Sequence, residues 1–315
     1  MIKVSVIIPV YGVEKYIEKC AHSLFRQSLD EIEYLFIDDC TPDNSIAIVK
    51  KVLESYPNRR GQIVFHKMAT NSGQAKVREW GILNAKGEYI ANCDSDDWID
   101  ETMYEKMYNA AFRDKSEIVI CNYAISNNHT INRQGYIEGY SYDKLIENMF
   151  SQNIPYCLWN KLIKRSLFGD SKLQFPSKPH GEDMALCLQL IYNNPKISYI
   201  NEPLYKYRCD SNTLYHAVSE ESVLRKFQAA TENARIVEEY YRRMGGYEKF
   251  KNSIMYIKMT SRDKLLPLMA DTKYYNLWKS TFPEINKLII FNKKIRLKHR
   301  IKYILTYFRL YHFAE

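Results

Sequence analysis

Two apolar runs in the first hundred residues end in carboxylates, and that placement limits what the chain can fold into. Tyr34-Leu35-Phe36-Ile37 runs into Asp38-Asp39, and Glu88-Tyr89-Ile90-Ala91 leads on to Asp94-Ser95-Asp96-Asp97. Short runs of this kind read as strands buried on both faces. Val4-Ser5-Val6-Ile7-Ile8, expected to stop at Pro9, is another, and Ile63-Val64-Phe65 a further one. Helical spacing fills the gaps, at 13–26 (Val13, Tyr16, Ile17, Cys20, Leu24), after Asp43 (Ile46, Val49, Val52, Leu53) and at 74–85. The alternation predicts an α/β fold: a doubly wound, mostly parallel central sheet flanked by helices. In such sheets ligands bind beyond the carboxyl ends of the strands, which is where the acids fall.

Past residue 100 the pattern is mixed. A helix is expected at 101–113, a strand at Ile118–Cys121 and hairpin-like polar sequence to about 140. Helical segments follow, including 182–193, then short strands at Ile197–Ile200 and Leu204–Arg208. From 219 onward the spacing is helical. The expected organisation is a unit over 1–215, in halves 1–100 and 101–215, and a helical region over 216–315.

The chain of 315 residues carries a net charge of +8, and the charge is unevenly placed. Residues 287–315 hold eight basic side chains (Lys287, Lys293, Lys294, Arg296, Lys298, Arg300, Lys302, Arg309) against Glu315 alone, so the remainder is near neutral. Within that segment Leu297, Ile301, Ile304, Phe308 and Tyr311 form one apolar stripe. A basic amphipathic helix of this kind suits an anionic membrane surface; equally, the stripe can dock on neighbouring helices. No nucleic-acid-binding module accompanies the charge, so nucleic acid is not an expected partner. No apolar run is long enough to span a bilayer, and the N-terminal run is broken by Pro9 and Glu14, so no cleavable signal is expected. The expected location is the cytoplasm, peripheral at most to the inner face of the membrane. Seven scattered cysteines lack paired spacing and read as reduced, mostly buried thiols.

Asp94-Ser95-Asp96 can address one divalent cation, or divide its work between a metal and ribose hydroxyls. Mg²⁺ and Mn²⁺ take oxygen ligands and keep room for water and phosphate. A glycine cradle is absent: Pro9-Val10-Tyr11-Gly12 is no G-x-G-x-x-G, and no G-x-x-x-x-G-K-[ST] occurs. A diphosphate would therefore be neutralised by a metal, helped by Arg78 or Lys76.

Several motifs in order resemble glycosyltransferase family 2, the inverting GT-A transferases that use nucleotide-diphospho-sugars. They are Val4 to Tyr11, Ser23 to Ser28, Phe36 to Asp43, Asn71-Ser72-Gly73-Gln74 with Arg78, and Ala85 to Ile90 leading into Cys93 to Asp97. Trp159-Asn160-Lys161-Leu162, Gly181-Glu182-Asp183-Met184 and Tyr205-Lys206-Tyr207-Arg208 follow. The resemblance covers roughly 1–215 and implies a GT-A fold with a helical C-terminal region, the first half taking the donor and the second the acceptor. It implies Asp38 or Asp39 at the nucleotide base, most often uracil, with Pro9, Tyr11, Arg78, Asp94 and Ser95 also around the nucleotide-sugar. Asp96, with Asp94, would hold Mn²⁺ or Mg²⁺, and Asp183, with Glu182 beside it, would be the catalytic base. The implied acceptor is a saccharide or lipid-linked oligosaccharide. The chain departs from the family pattern at Gly12, at Cys40-Thr41 and at Val77-Arg78-Glu79, all near the donor.

An inverting transfer needs one base opposite the leaving group and a cation on the diphosphate. Asp183, near a helix start, sits where the positive end of the dipole keeps a carboxylate ionised. Plainer readings exist for each residue. Asp38 and Asp39 can cap the next turn, and Asp43 reads as an N-cap. Glu182-Asp183 can merely complement a helix dipole, and His180 can be an ordinary loop histidine. Trp98 and Trp159 can pack rather than face an acceptor. A nucleotidyltransferase could also use an acid-lined metal site but lacks its basic signature here; an inactive scaffold would be expected to lose Asp96 or Asp183.

Overall fold

A computed structural model describes residues 1–126, 130–134, 139, 141–151, 153–209, 219–286 and 297–310. All seven residues of β1 (Val4–Val10) are buried, because the strand has neighbours on both edges and cover on both faces. It lies between β2 (Ile32–Asp38) and β4 (Tyr89–Asn92), with β3 (Ile63–Lys67) beyond β2, all parallel. Alternate β1 side chains divide between two apolar cores. Val4, Val6 and Ile8 share one with Leu24 of α1 (Ile17–Phe25), Val49 of α2 (Ser45–Leu53) and Met107 of α4 (Met103–Asp114). Ile7 shares the other with Val77 and Ile82 of α3 (Gln74–Asn84). That second core continues without a break into α5 (Tyr142–Phe150), α6 (Glu182–Leu190), α7 (Glu220–Arg243) and α8 (Tyr247–Arg262).

The rest of the sheet departs from double winding. Its order is β3-β2-β1-β4-β8-β6-β9-β5, with β7 beside β6. β8 (Lys161–Lys164) runs antiparallel between β4 and β6 (Ile118–Ser126). β9 (Ile197–Arg208) is parallel to β6, while β5 (Trp98–Ile99) and β7 (Thr130–Arg133) are antiparallel additions. The sheet is thus mixed, and its parallel half carries the first two acid turns.

Three boundaries differ from expectation for physical reasons. Pro9 does not stop β1: the pairing with β4 ends at Ile7, so Pro9 meets β2 alone, and a residue without an N–H is tolerated as on an edge. Ile197–Ile200 and Leu204–Arg208 are one strand, interrupted where the register against β6 slips on both sides of Asn122, opposite Pro203. β8, too short to show a period, was legible only as part of a motif.

Beyond α8 come α9 (Thr272–Ser280) and α10 (Leu297–Tyr307). Arg262, wholly buried at the end of α8, donates to the Thr281 carbonyl at 3.0 Å and Asn286 Oδ1 at 2.8 Å, and also to the Tyr303 hydroxyl of α10. Tyr303 and Thr306 therefore face inward, and Leu297, Ile301, Phe308 and Leu310 are exposed. Of the expected apolar stripe, Leu297, Ile301 and Phe308 point away from the protein, while Ile304 is half-buried. Tyr311 and residues 287–296 lie outside the described residues. No described helix is long and apolar enough to cross a membrane.

Candidate active site

The turn after β2 is organised by its acids. Asp38 Oδ1 accepts the Thr41 N–H at 2.7 Å, an Asx-type turn that matches the capping reading. Asp39, 4% exposed, accepts the Ser72 N–H at 2.7 Å and the Gly73 N–H at 2.9 Å, one on each oxygen. Those two amides lead directly into α3, and Gly73 has φ +80°, which a side chain would oppose. Asp43 lies one residue before the N-cap, Asn44. It accepts from the hydroxyls of Ser45 (2.6 Å) and Thr41 (2.7 Å) and from the N–H groups of Glu14 (3.0 Å) and Ser45 (3.1 Å). Burial works against its charge, but those four donors hold its carboxyl down at about 2. It joins the loops after β1 and β2 as a structural tie.

After β4, four consecutive residues divide into open and closed positions. Asp94 and Asp96 are partly exposed, Ser95 and Asp97 buried. Asp97 accepts the Tyr205 hydroxyl at 2.6 Å and the Arg208 N–H at 2.7 Å, fastening the turn to β9. The same Tyr205 hydroxyl accepts the Asp94 N–H at 3.1 Å. Asp96 Oδ2 pairs with Arg208 Nη2 at 2.6 Å, and that guanidinium lies over the Tyr16 ring at 3.7 Å. Asp94 Oδ1 accepts from Gln74 Nε2 at 2.9 Å and from Arg78 Nη2 at 2.7 Å.

Arg78, 4% exposed on α3, reaches the third acid turn with its other nitrogen. Nη1 donates to Glu182 Oε1 at 3.1 Å and also to Asp183 Oδ1. Asp183 Oδ2 accepts the Leu158 N–H at 3.2 Å. α6 enters this position from two successive left-handed residues, His180 (φ +71°) and Gly181 (φ +89°). Such a conformation in a non-glycine residue is strained and persists because its surroundings hold it; Asn233 of α7, wholly buried, donates to the His180 carbonyl at 3.0 Å. The three acid turns thus converge through α3: Asp39 holds its entry, and its arginine links Asp94 to Asp183.

The electrostatics follow from this crowding. Burial pushes the Asp96 and Asp97 carboxyls up, and Asp94 pushes both further. Burial also raises Glu182, to about 7, with Asp183 adding and Arg78 opposing. Asp183 is raised by burial as well, but it has both Arg78 and the Leu158 N–H on its oxygens, where Glu182 has Arg78 at the longer distance. Those two contacts make Asp183 the better stabilised anion of the pair. Burial disfavours charge on Arg78, yet Asp183, Asp94 and Glu182 together hold it protonated.

Asp94, Asp96, Asp97, Glu182 and Asp183 face two guanidinium groups, so the site is short of positive charge. Among the described residues no cluster of three or more His, Cys, Asp or Glu side chains is arranged as a metal cage. The donor set still fits Mg²⁺ or Mn²⁺: two partly open carboxylates, Asp94 and Asp96, leave the other positions to water and substrate oxygens.

Some expected residues stand elsewhere. Trp159 is 8% exposed, stacked on Tyr205 at 4.3 Å between centroids and edge-on to Tyr123 at 4.9 Å; it is core packing, not an acceptor platform. Trp98 carries the Lys19 ammonium over its ring at 3.0 Å. Lys76 is paired with Glu79 at 2.6 Å rather than turned to a diphosphate. His180 joins the α6 turn through its backbone, and burial lowers its imidazole pKa, followed by the nearby Lys226, Lys264 and Arg225. Pro9 is buried within β1, and Tyr11, 51% exposed, stands just past its end. Sequence reasoning missed Arg208 as partner of Asp96, Tyr205 as the tie behind the turn, and the Leu158 amide. The motif holding Tyr205 and Arg208 was visible, but their acid partners lie over 100 residues away.

The fold and site define an α/β protein with an acid-lined site beyond its parallel strands, and comparison with known proteins names its family. The family description "Glycosyl transferase family 2" matches residues 5–170, more than half of the chain, and the chain belongs to that family. The Glu182-Asp183 turn lies just beyond the matched segment. EpsH of Bacillus subtilis is 32% identical over 213 residues, 65% of this chain and 60% of EpsH. The glycosyltransferase GlyA of Streptococcus pneumoniae is 30% identical over 224 residues, 67% of this chain but 31% of GlyA. Aligned residues thus span less than two thirds of both relatives. The crystal structure of residues 1–349 of S. aureus TarS with UDP-GlcNAc shares the fold, with TM-score 0.62 and 19% identity over 97% of this chain and 89% of that one.

Glu182 makes stability depend on pH. Its carboxyl is raised in the folded state, so the native protein binds the proton more tightly, and stability falls as pH rises from about 4.5 towards 7. Glu182→Gln removes that dependence, worth up to about 3 kcal/mol across the window. Urea unfolding at a series of pH values measures it; parallel wild-type and variant curves would refute the assignment.

Proposed function

We propose that this chain is an inverting glycosyltransferase, moving a sugar from a UDP-sugar to a hydroxyl of a saccharide or lipid-linked oligosaccharide in surface-polymer assembly. The observation that carries the reading is the Arg78 bridge, which brings a partly open D-x-D turn and a second carboxylate pair into one site. Asp94 and Asp96 are the metal ligands of the proposal, and a divalent cation bound there would supply Lewis-acid stabilisation of the leaving diphosphate. Asp183, its two oxygens fixed by Arg78 and Leu158, takes the proton from the acceptor hydroxyl as that oxygen attacks the anomeric carbon. Glu182, its carboxyl raised, limits the repulsion that two adjacent anions would create. Asp38 and Asp39, at the end of β2, belong to the nucleotide end, with Pro9, Tyr11 and Ser95 around it.

The relatives support this reading by name. GlyA is described as a glycosyltransferase and TarS of S. aureus as a poly(ribitol-phosphate) β-N-acetylglucosaminyltransferase. The structure of PcManGT, a mannosyltransferase from Pyrobaculum calidifontis, contains GDP-Man and Mn²⁺ and shares the fold at TM-score 0.56 and 13% identity, over 98% of this chain and 86% of that one. Within the proposal, residues 1–100 take the donor, 101–215 present the acceptor, and 216–315 buttress the base through Asn233. The outward apolar residues Leu297 and Ile301 of α10, with Phe308 just past its end, belong against an anionic lipid surface, since their segment carries almost all of the net charge. That would place a cytoplasmic enzyme at the inner leaflet.

With Mn²⁺ and a panel of UDP-, GDP- and dTDP-sugars, the wild type releases free UDP. Asp96→Ala abolishes release, and Asp183→Asn slows it about 10²–10⁴-fold while UDP binding persists. Release that ignores both substitutions contradicts the mechanism. For the lipid surface, the protein co-floats with phosphatidylglycerol-containing vesicles and not with pure phosphatidylcholine, and Ile301→Asp with Phe308→Asp releases it. Equal recovery with both vesicle types would overturn that placement.

A further inference from the structure

Lys161 opens β8 with 2% of its surface exposed, and among the described residues no carboxylate lies within ion-pair distance of its ammonium. Its Nζ donates instead to the Pro155 carbonyl at 3.0 Å, the Cys157 carbonyl at 2.7 Å and Asn160 Oδ1 at 2.9 Å. An ammonium has three donors, and all three are used. Burying that charge without an ion-pair partner is costly. The reason for a cation lies in what its three bonds hold.

They fold residues 155–160 back onto β8. Asn160 Nδ2 ties this loop to the Cys121 carbonyl of β6 at 3.0 Å, and the Cys187 thiol of α6 donates to the Tyr156 carbonyl at 2.8 Å. Of the loop's backbone, one N–H turns to the reacting site: that of Leu158, on Asp183 Oδ2 at 3.2 Å. We propose that Lys161 is a positioning residue for the base, its ammonium folding the 155–160 loop so that the Leu158 amide fixes one oxygen of Asp183 while Arg78 fixes the other. This rests on the reading of Asp183 as the base.

The charge of Lys161 acts in the same direction as its geometry. Around Asp183 stand Arg78 from α3, Asp94 after β4, Glu182 and Cys187 on α6, Tyr156 and Cys157 in the loop, and Lys161 on β8. Burial raises the Asp183 carboxyl; Arg78 opposes this, Asp94 adds to it, and the Leu158 amide and Lys161 oppose it. Removing the ammonium leaves the carboxyl less ionised as well as less firmly aimed.

Lys161→Met and Lys161→Gln, made in the full chain, test this with UDP-glucose and UDP-N-acetylglucosamine as donors and Mn²⁺ present. Turnover by Lys161→Met falls on the order of 100-fold with donor KM little changed, and the acid limb of its pH profile moves to higher pH. Its crystal structure shows the Leu158–Asp183 hydrogen bond broken. Lys161→Gln keeps two donors without the charge; its turnover lies between the two, and it gives the same readouts if the methionine variant fails to fold. Unchanged turnover, a fall confined to KM, or an intact Leu158–Asp183 bond in the variant overturns the proposal. A wild type that releases no UDP from any donor instead overturns the base reading, and the bond in the variant crystal then decides the loop claim alone.

Discussion

One guanidinium holds this site together. Arg78 is almost wholly buried and bonds three carboxylates drawn from two parts of the chain, one in the turn after β4 and two at the start of α6. Each part has its own ties, but Arg78 is what joins the two. Removing one partner of a buried ion pair leaves an uncompensated charge and costs about 3–5 kcal/mol, and here three anions would be left facing one another. The residues that aim Arg78 are themselves tied down: Asp39 grips the amides that lead into α3, and Val77 on the same helix packs in the apolar core under β1.

Arg78 is bonded through both terminal nitrogens, yet the site is not neutral. Asp97 is shut in behind Tyr205 and the Arg208 amide, which makes it the fastener of the turn, while Asp94 and Asp96 keep open edges. Within this turn, closed by the Asp97 N–H on the Asp94 carbonyl at 3.0 Å, buried and open positions separate structure from chemistry. Burial and the neighbouring Asp183 raise the Glu182 carboxyl, which eases the surplus of negative charge. The raised carboxyls thus follow from burial and from the crowding of acids around Asp94.

How much of this could be read from the sequence follows from the range of each interaction. β1, β2, β4 and α3 are set by local apolar pattern, and the acid turns announce themselves at strand ends, so the first hundred residues were legible. β8 was not, because four residues between a loop and a turn show no period. The strand at 197–208 looked like two, since Pro203 breaks the pattern where β6 is irregular. Asp183 was found through its motif, but its linkage to Asp94 is a contact across more than 100 positions through Arg78, which no local rule encodes. Trp159 shows the converse: an aromatic in a suggestive motif is buried by Tyr205 and Tyr207, two residues on a distant strand.

A thermodynamic cycle tests the unifying role of Arg78 most directly. Arg78→Met is combined with Asp94→Asn and, separately, with Asp183→Asn, and each variant is unfolded in urea at pH 7. If the guanidinium bridges both acid turns, its loss is milder in either amide background, with coupling energies of about 1–3 kcal/mol to each partner. Additive effects, within about 0.5 kcal/mol for either pair, would mean that the two turns do not share a charge and that the site does not exist as one unit.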